Sequence, residues 1–219
     1  MSIASQEIAG SPRMRGRLHQ IAFICSIPMG MTLVALGRTG LARVATSIYA
    51  VSMSALFGVS ASYHRLNWSP RARQWMRKLD HSTIFLLIAG SYTPFSLLAL
   101  RGAWRVWILS AVWGVALLGI LLMMIRIERM DRAGMVLYLA LGWTALIALP
   151  QLLSHLSVSG TVLLFAGGVL YTVGAVMFAL HRPNPNPRVF GYHEIWHSMV
   201  IGGSLCHYVT ILLLAMTAR

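Results

Sequence analysis

Two histidines four positions apart, His193 and His197, stand at the start of the last long apolar stretch of the chain. On an α-helix, side chains with this spacing lie one above the other, so both imidazoles can reach one metal ion. A zinc ion takes three or four ligands, and the pair therefore predicts at least one more elsewhere in the sequence. Two short segments offer candidates: SASYH at 60–64 and LDHS at 79–82.

Each of these segments contains a polar side chain that chemistry could use. Ser60 and His64 are again four positions apart and share one helix face. Asp80 stands where an apolar stretch begins, a position that also suits a carboxylate capping a helix N-terminus. A Ser/His pair at a helix end is commonly a packing detail, so local spacing leaves the structural and the chemical interpretation open for both segments.

The composition predicts the class of protein that carries these residues. In 219 residues, 57% are hydrophobic and 11% charged, and the mean hydropathy is +0.69, values outside the range of soluble proteins. We predict an all-α integral membrane protein with a short basic tail at 1–17, expected to be mobile, and one domain of seven transmembrane helices at 18–219. The predicted spans are 18–36, 41–63, 79–100, 104–125, 135–153, 160–180 and 192–216.

The charge distribution predicts the orientation. The net charge of +13 would suggest a nucleic-acid partner in a soluble protein, but here most basic residues lie in the tail and the even-numbered connections, as the positive-inside rule describes. We therefore predict a cytoplasmic N-terminus, an outside C-terminus, anionic lipid headgroups as partners of the basic inner face and no nucleic-acid partner. The residues on the predicted inner side are Arg13, Arg15, Arg17, Arg65, Arg71, Arg73, Arg77, Lys78, Arg126, Arg129, Arg132, Arg182 and Arg188.

Topology predicts which polar residues meet. With the N-terminus inside, the second span ends and the third and seventh spans begin in the inner leaflet. Ionisable residues within membranes are costly and usually functional. We predict that His64, His193 and His197 hold a zinc ion and leave one position for water. Asp80 is then placed to accept the proton of that water, and Ser60 to orient the water or polarise a substrate carbonyl.

Other residues offer alternatives. Glu194 completes the pattern H-E-x-x-H and could act as the base. We favour Asp80, because Glu194 is rotated about 100° from His193 around the helix. His81 is expected to position Asp80 or to face the interface, and the first span shows no residue that indicates chemistry. His207 is predicted to serve in packing or in a buried hydrogen bond, His155 to be a surface residue and His181 to be a weak reserve ligand.

These motifs together resemble a known family. Ser60-x-x-x-His64, LDHS with Asp80, AGSYTPF at 89–95 and His193-x-x-x-His197 followed by His207 resemble the haemolysin III branch of the progestin and adipoQ receptor family. The resemblance extends to a superfamily that includes the alkaline ceramidases. It implies zinc held by the three histidines, Asp80 near the bound water with Ser60 close by, and a multi-pass protein of the bacterial inner membrane.

Three functions follow from these expectations. The first is a zinc-dependent intramembrane hydrolase, a ceramidase-like amidase, whose substrate is a membrane lipid or fatty-acyl amide or ester. The alternative is a non-enzymatic regulator of membrane-lipid or membrane-energetics homeostasis whose zinc is structural. A haemolytic pore is less favoured, because the fourth to sixth predicted spans are nearly devoid of ionisable residues. The sequence does not indicate an oligomeric state.

Overall fold

Helices make up nearly all of the structure. The computed structural model describes residues 12–126 and 131–218, with the side chains of all of these except 126 and 131–133. Within those ranges there is no β-strand beyond one isolated bridge between Asn186 and Phe190. The helices are α1 (Arg17–Ala35), α2 (Gly40–Arg65), α3 (Pro70–Pro94), α4 (Gly102–Arg126), α5 (Asp131–Gly142), α6 (Leu149–His155), α7 (Val158–Leu180) and α8 (Tyr192–Thr217).

In the described residues, these helices form seven spans that are long and apolar enough to cross a membrane, which confirms the predicted fold class. The third span consists of α3 and a π-helical turn, Phe95–Ala99, that follows Pro94. The fifth consists of α5, a 3₁₀ segment, Trp143–Ala148, and α6. Both irregular segments replace α-helical hydrogen bonding locally, the first directly after a proline and the second just before Pro150.

The third span begins earlier than predicted. The predicted spans leave a connection between 63 and 79, but α3 already starts at Pro70. Ser69 caps this helix by accepting a hydrogen bond from the Ala72 amide at 3.4 Å, and Pro70 occupies the first turn, where its missing N–H costs nothing. Lys78 in turn donates to the Met124 carbonyl at 2.6 Å, near the C-terminus of α4.

Part of the predicted tail is attached to the helical domain. The amides of Arg13 and Met14 donate to the carbonyls of Arg188 and Val189 at 3.0 and 3.1 Å. The described end of the tail is thus hydrogen-bonded to the loop that precedes α8, rather than mobile as its polar composition suggested. The remainder of the tail, 1–11, lies outside the described residues, as do residues 127–130 of the connection predicted between the fourth and fifth spans.

The third span is the centre of the bundle, since 72% of its apolar window is buried, against 17% for the fifth and sixth spans. α8 packs against α1, α2 and α3 as well as α7. Polar contacts reinforce this packing: the Tyr49 hydroxyl donates to the Ser204 carbonyl at 2.9 Å, and the Tyr208 hydroxyl to the Met29 carbonyl at 3.0 Å. The end of α2 and the starts of α1, α3 and α8 therefore come together at one end of the bundle.

Candidate metal centre

Three histidines from distant parts of the chain meet at this end of the bundle. His64 lies in the last turn of α2, whereas His193 and His197 occupy the first two turns of α8. One ligand atom from each imidazole lies within 4.8 Å of the other two. The Nε2 atoms of His64 and His193 are 3.3 Å apart. The three residues that the sequence pattern selected as metal ligands are thus within reach of one ion.

The chemistry and spacing of this set fit a divalent metal. With Zn–N bonds of about 2.0–2.1 Å and tetrahedral angles, two ligand nitrogens lie about 3.3–3.4 Å apart, close to the 3.3 Å between His64 and His193. The rings of His64 and His193 meet at 85°, and those of His193 and His197 at 68°, so their edges rather than their faces converge. Two facing nitrogens without a cation would require one of them to carry a proton.

A carboxylate lies beside the histidines. An Asp80 oxygen, Oδ2, is 3.9 Å from His64 Nε2 and 4.0 Å from His81 Nδ1, too far for direct hydrogen bonds. Ser60 is 3% exposed, and its side chain interacts with the Asp80 carboxylate. The carboxylate therefore lies beside His64, one member of the three-histidine set. His81 Nδ1 lies 2.9 Å from the Arg77 carbonyl, within its own helix.

Glu194, the alternative base, has a different set of partners. Its side chain is 1% exposed, and one carboxylate oxygen forms an ion pair with Arg15 at 2.5 Å. The other accepts the amide hydrogen of Gly191 at 2.8 Å, which caps the N-terminus of α8. Both oxygens are therefore engaged in attaching the tail and starting the helix. This geometry favours Asp80 over Glu194 as the group that faces the histidines.

A fourth histidine, His19, belongs to the same cluster and was missed by the sequence pattern. It lies in the first turn of α1, is 3% exposed and stacks on the ring of His197 with a centroid distance of 3.8 Å and an interplanar angle of 5°. Its position near the predicted inner end of the first span matches the predicted depth of the other five site residues. That depth was the available signal, since His19 has no polar neighbour at helical spacing within its own segment.

Comparison with known proteins identifies the family. A family model described as "Haemolysin-III related" matches residues 9–208. The chain belongs to the haemolysin-III-related family. "Hemolysin-3" of Bacillus cereus is 36% identical over 197 residues, 89% of this chain and 87% of the relative. The "Hemolysin-3 homolog" of Bacillus subtilis (strain 168) is 34% identical over 197 residues, 89% of each chain.

More distant relatives include eukaryotic proteins. The human "Monocyte to macrophage differentiation factor" is 25% identical over 182 residues, 77% of this chain and 69% of the relative. The match to the haemolysin-III-related family begins within the tail and extends into α8. It therefore includes every residue of the candidate centre, and the family resemblance that the sequence motifs indicated is confirmed.

The other histidines of this haemolysin-III-related chain lie outside the ligand set. His207 is within α8 and contacts the rings of Phe95 and Tyr171 edge-on, at centroid distances of 5.8 and 5.4 Å, in agreement with the predicted packing role. His181 ends α7 and is exposed, and the structure does not bring it into the set. His155 ends α6, where its Nδ1 lies 2.9 Å from the Gln151 carbonyl.

Gly16 provides a test of how closely the tail approaches the centre. Its φ of +74° is in the left-handed region, and a Cβ there would lie 2.6 Å from His64 Cβ. Gly102 shares the positive φ, at +58°, but has no atom within 4 Å of such a Cβ. Alanine at Gly102 should cost about 1–2 kcal/mol of folding free energy from backbone strain alone. Alanine at Gly16 should cost about 1–3 kcal/mol more, because it also overpacks against His64.

Unfolding of the two glycine variants in the same detergent measures this difference. Equal losses in Gly16→Ala and Gly102→Ala would contradict a close contact between the tail and His64.

Proposed function

We propose that this member of the haemolysin-III-related family is a zinc-dependent intramembrane hydrolase that cleaves an amide or ester bond of a membrane lipid. One observation carries the proposal: three imidazoles converge with ligand atoms within 4.8 Å of one another, and the Asp80 carboxylate lies 3.9 Å from His64 Nε2 without being part of the set. Three protein ligands with a remaining open position are typical of catalytic rather than structural zinc. A carboxylate beside such a site is the arrangement that hydrolysis by an activated water needs.

The roles of the chain's own residues follow from their positions. His64, His193 and His197 would hold the ion. When bound, zinc supplies Lewis acidity and lowers the pKa of water to about 7. Asp80 would accept the proton from the attacking water, since its carboxylate faces the histidines and makes no ion pair with an arginine among the described contacts. Ser60 would hold that carboxylate in place through the interaction of their side chains.

The place of the site favours a lipid as substrate. The ligands lie in the terminal turns of membrane-spanning helices, near the boundary between hydrocarbon and headgroups where the amide and ester bonds of lipids are found. We propose that a lipid or fatty-acyl substrate enters from the inner leaflet of the bacterial inner membrane. The basic residues that this multi-pass protein places on the same predicted side would attract anionic headgroups.

The experiment that tests this proposal is a lipid hydrolysis assay with metal removal. The purified protein should contain about one zinc per chain. It should release fatty acid from a fluorescent ceramide, an amide, or a fluorescent monoacylglycerol, an ester, with both products identified by mass spectrometry. A chelator should abolish release and added Zn²⁺ should restore it, whereas added Mg²⁺ should not, because magnesium prefers oxygen ligands.

The outcome also separates the enzyme from a regulator. A protein that binds one zinc per chain but leaves both probes intact would contradict the hydrolase and favour a structural zinc. A protein without zinc would contradict both the metal centre and the reaction.

A further inference from the structure

The side chain of His19 makes no hydrogen bond to another described side chain but has two aromatic neighbours. Neither ring nitrogen makes a hydrogen bond to another described residue, although the ring also approaches the main chain of His197. One ring face lies on His197 at 3.8 Å, and Phe57 packs against the ring at 5.2 Å with a tilt of 58°. His19 therefore interacts with the described structure through the faces and edges of its ring, which contacts both α2 and α8.

The geometry of the contact with His197 is unusual for two neutral rings. Aromatic pairs prefer offset or edge-to-face arrangements with centroids about 4.5–7 Å apart. The other ring pairs of the cluster follow this preference, at 4.6, 4.8 and 5.3 Å with large tilts. The parallel contact at 3.8 Å becomes favourable when one of the two rings is electron-poor, because ring faces attract positive charge. An imidazole becomes electron-poor when it donates a lone pair to a dication.

His19 is also a costly residue to bury for packing alone. Its two ring nitrogens have no hydrogen-bond partner among the described side chains, and the residue is 3% exposed. Burying them therefore costs a desolvation penalty that a phenylalanine would avoid. At the same time, His19 is outside the set of nitrogens that lie within 4.8 Å of one another. The residue thus touches a ligand of the proposed centre without being a ligand itself.

We propose that His19 is a positioning residue of the metal centre: its ring stacks on His197 and fixes the plane in which that ligand meets the ion. This inference rests on the zinc site proposed above. Residues that contact a ligand but not the metal orient the ring of that ligand, and they usually do so through hydrogen bonds. In this chain the His197 Nδ1 atom has no such bond to a described residue, and the ring of His19 takes the place of one.

The test compares two substitutions of similar size. His19→Leu keeps the packing volume but removes the aromatic face, whereas His19→Phe keeps the aromatic face and removes the nitrogens. We expect His19→Leu to weaken zinc binding about 10–100-fold, measured by competition with a chelator, and to change the visible absorption of the Co²⁺-substituted protein. His19→Phe should retain the wild-type affinity within about threefold, since its ring can stack on His197.

A matched control is available on the same helix bundle. His207→Leu also removes a buried imidazole with aromatic neighbours, but outside the cluster, and should change neither the zinc affinity nor the Co²⁺ spectrum. Thermal unfolding of all three variants in one detergent shows that they are compared as folded proteins.

Several results would overturn the proposal. Wild-type affinity in His19→Leu would show that the ring does not position His197. Equal losses in His19→Leu and His19→Phe would assign the effect to the nitrogens, and loss of stoichiometric zinc in both would make His19 a ligand. A wild-type protein that binds no zinc overturns the proposed function together with this inference, whereas the other results leave His64, His193 and His197 as ligands.

Discussion

Replacing His193 by alanine should abolish stoichiometric zinc binding. His193 supplies one of only three protein nitrogens in the set, and its Nε2 lies 3.3 Å from that of His64. Removal of a residue that merely supports a ligand costs about 10–100-fold in metal affinity, so removal of the ligand should cost more than about 100-fold. Metal analysis by mass spectrometry after dialysis measures the zinc content, and chelator competition measures the remaining affinity.

A control for this substitution must remove a histidine without touching the centre. His181→Ala fits, because His181 is exposed, lies on the same predicted side of the membrane and is outside the ligand set. It should retain about one zinc per chain. If His193→Ala also retains full zinc, or if both variants lose it equally, the assignment of the metal to His64, His193 and His197 is wrong.

Most of the fold could be predicted because hydrophobic spans are a property of consecutive residues. Six of the seven spans begin and end within about two residues of their predicted limits, and each is recognisable from its own length and composition. The predicted start of the third span was wrong, because the charged residues before 79 lie in the helix and not in a loop. In 70–78 the arginines and lysine are good helix formers behind a serine cap and a proline, so the helix extends beyond the apolar segment.

The candidate site was predictable to the extent that topology places residues at one depth. That argument brought His64 of α2 and the pair on α8 to the same leaflet, and the structure brings their nitrogens together. It did not select His19, although this residue lies at the same predicted depth, because its contact with His197 spans 178 positions and becomes visible only when α1 packs on α8. The Arg15–Glu194 ion pair was hidden for the same reason, so the H-E-x-x-H pattern suggested a base where the fold has a cap.

Replacing Asp80 by asparagine should separate the metal from the reaction. Asparagine keeps the size of the side chain and can still hydrogen-bond to Ser60, but it cannot accept a proton from water. Because Asp80 lies 3.9 Å from His64 and is outside the ligand set, the variant should keep about one zinc per chain. Loss of the general base should lower the rate of hydrolysis about 10²–10⁴-fold, measured with the more rapidly cleaved of the two lipid probes.

The corresponding variant of Glu194 distinguishes the two carboxylates. Glu194→Gln removes the charge that pairs with Arg15 at 1% exposure, so it should lower the thermal stability. It should leave most of the hydrolysis in the protein that remains folded, since neither of its oxygens faces the histidines. If Glu194→Gln keeps its stability but loses turnover, and Asp80→Asn keeps its turnover, the base is Glu194 of the H-E-x-x-H pattern. If both variants hydrolyse the probe at the wild-type rate, neither carboxylate is the base.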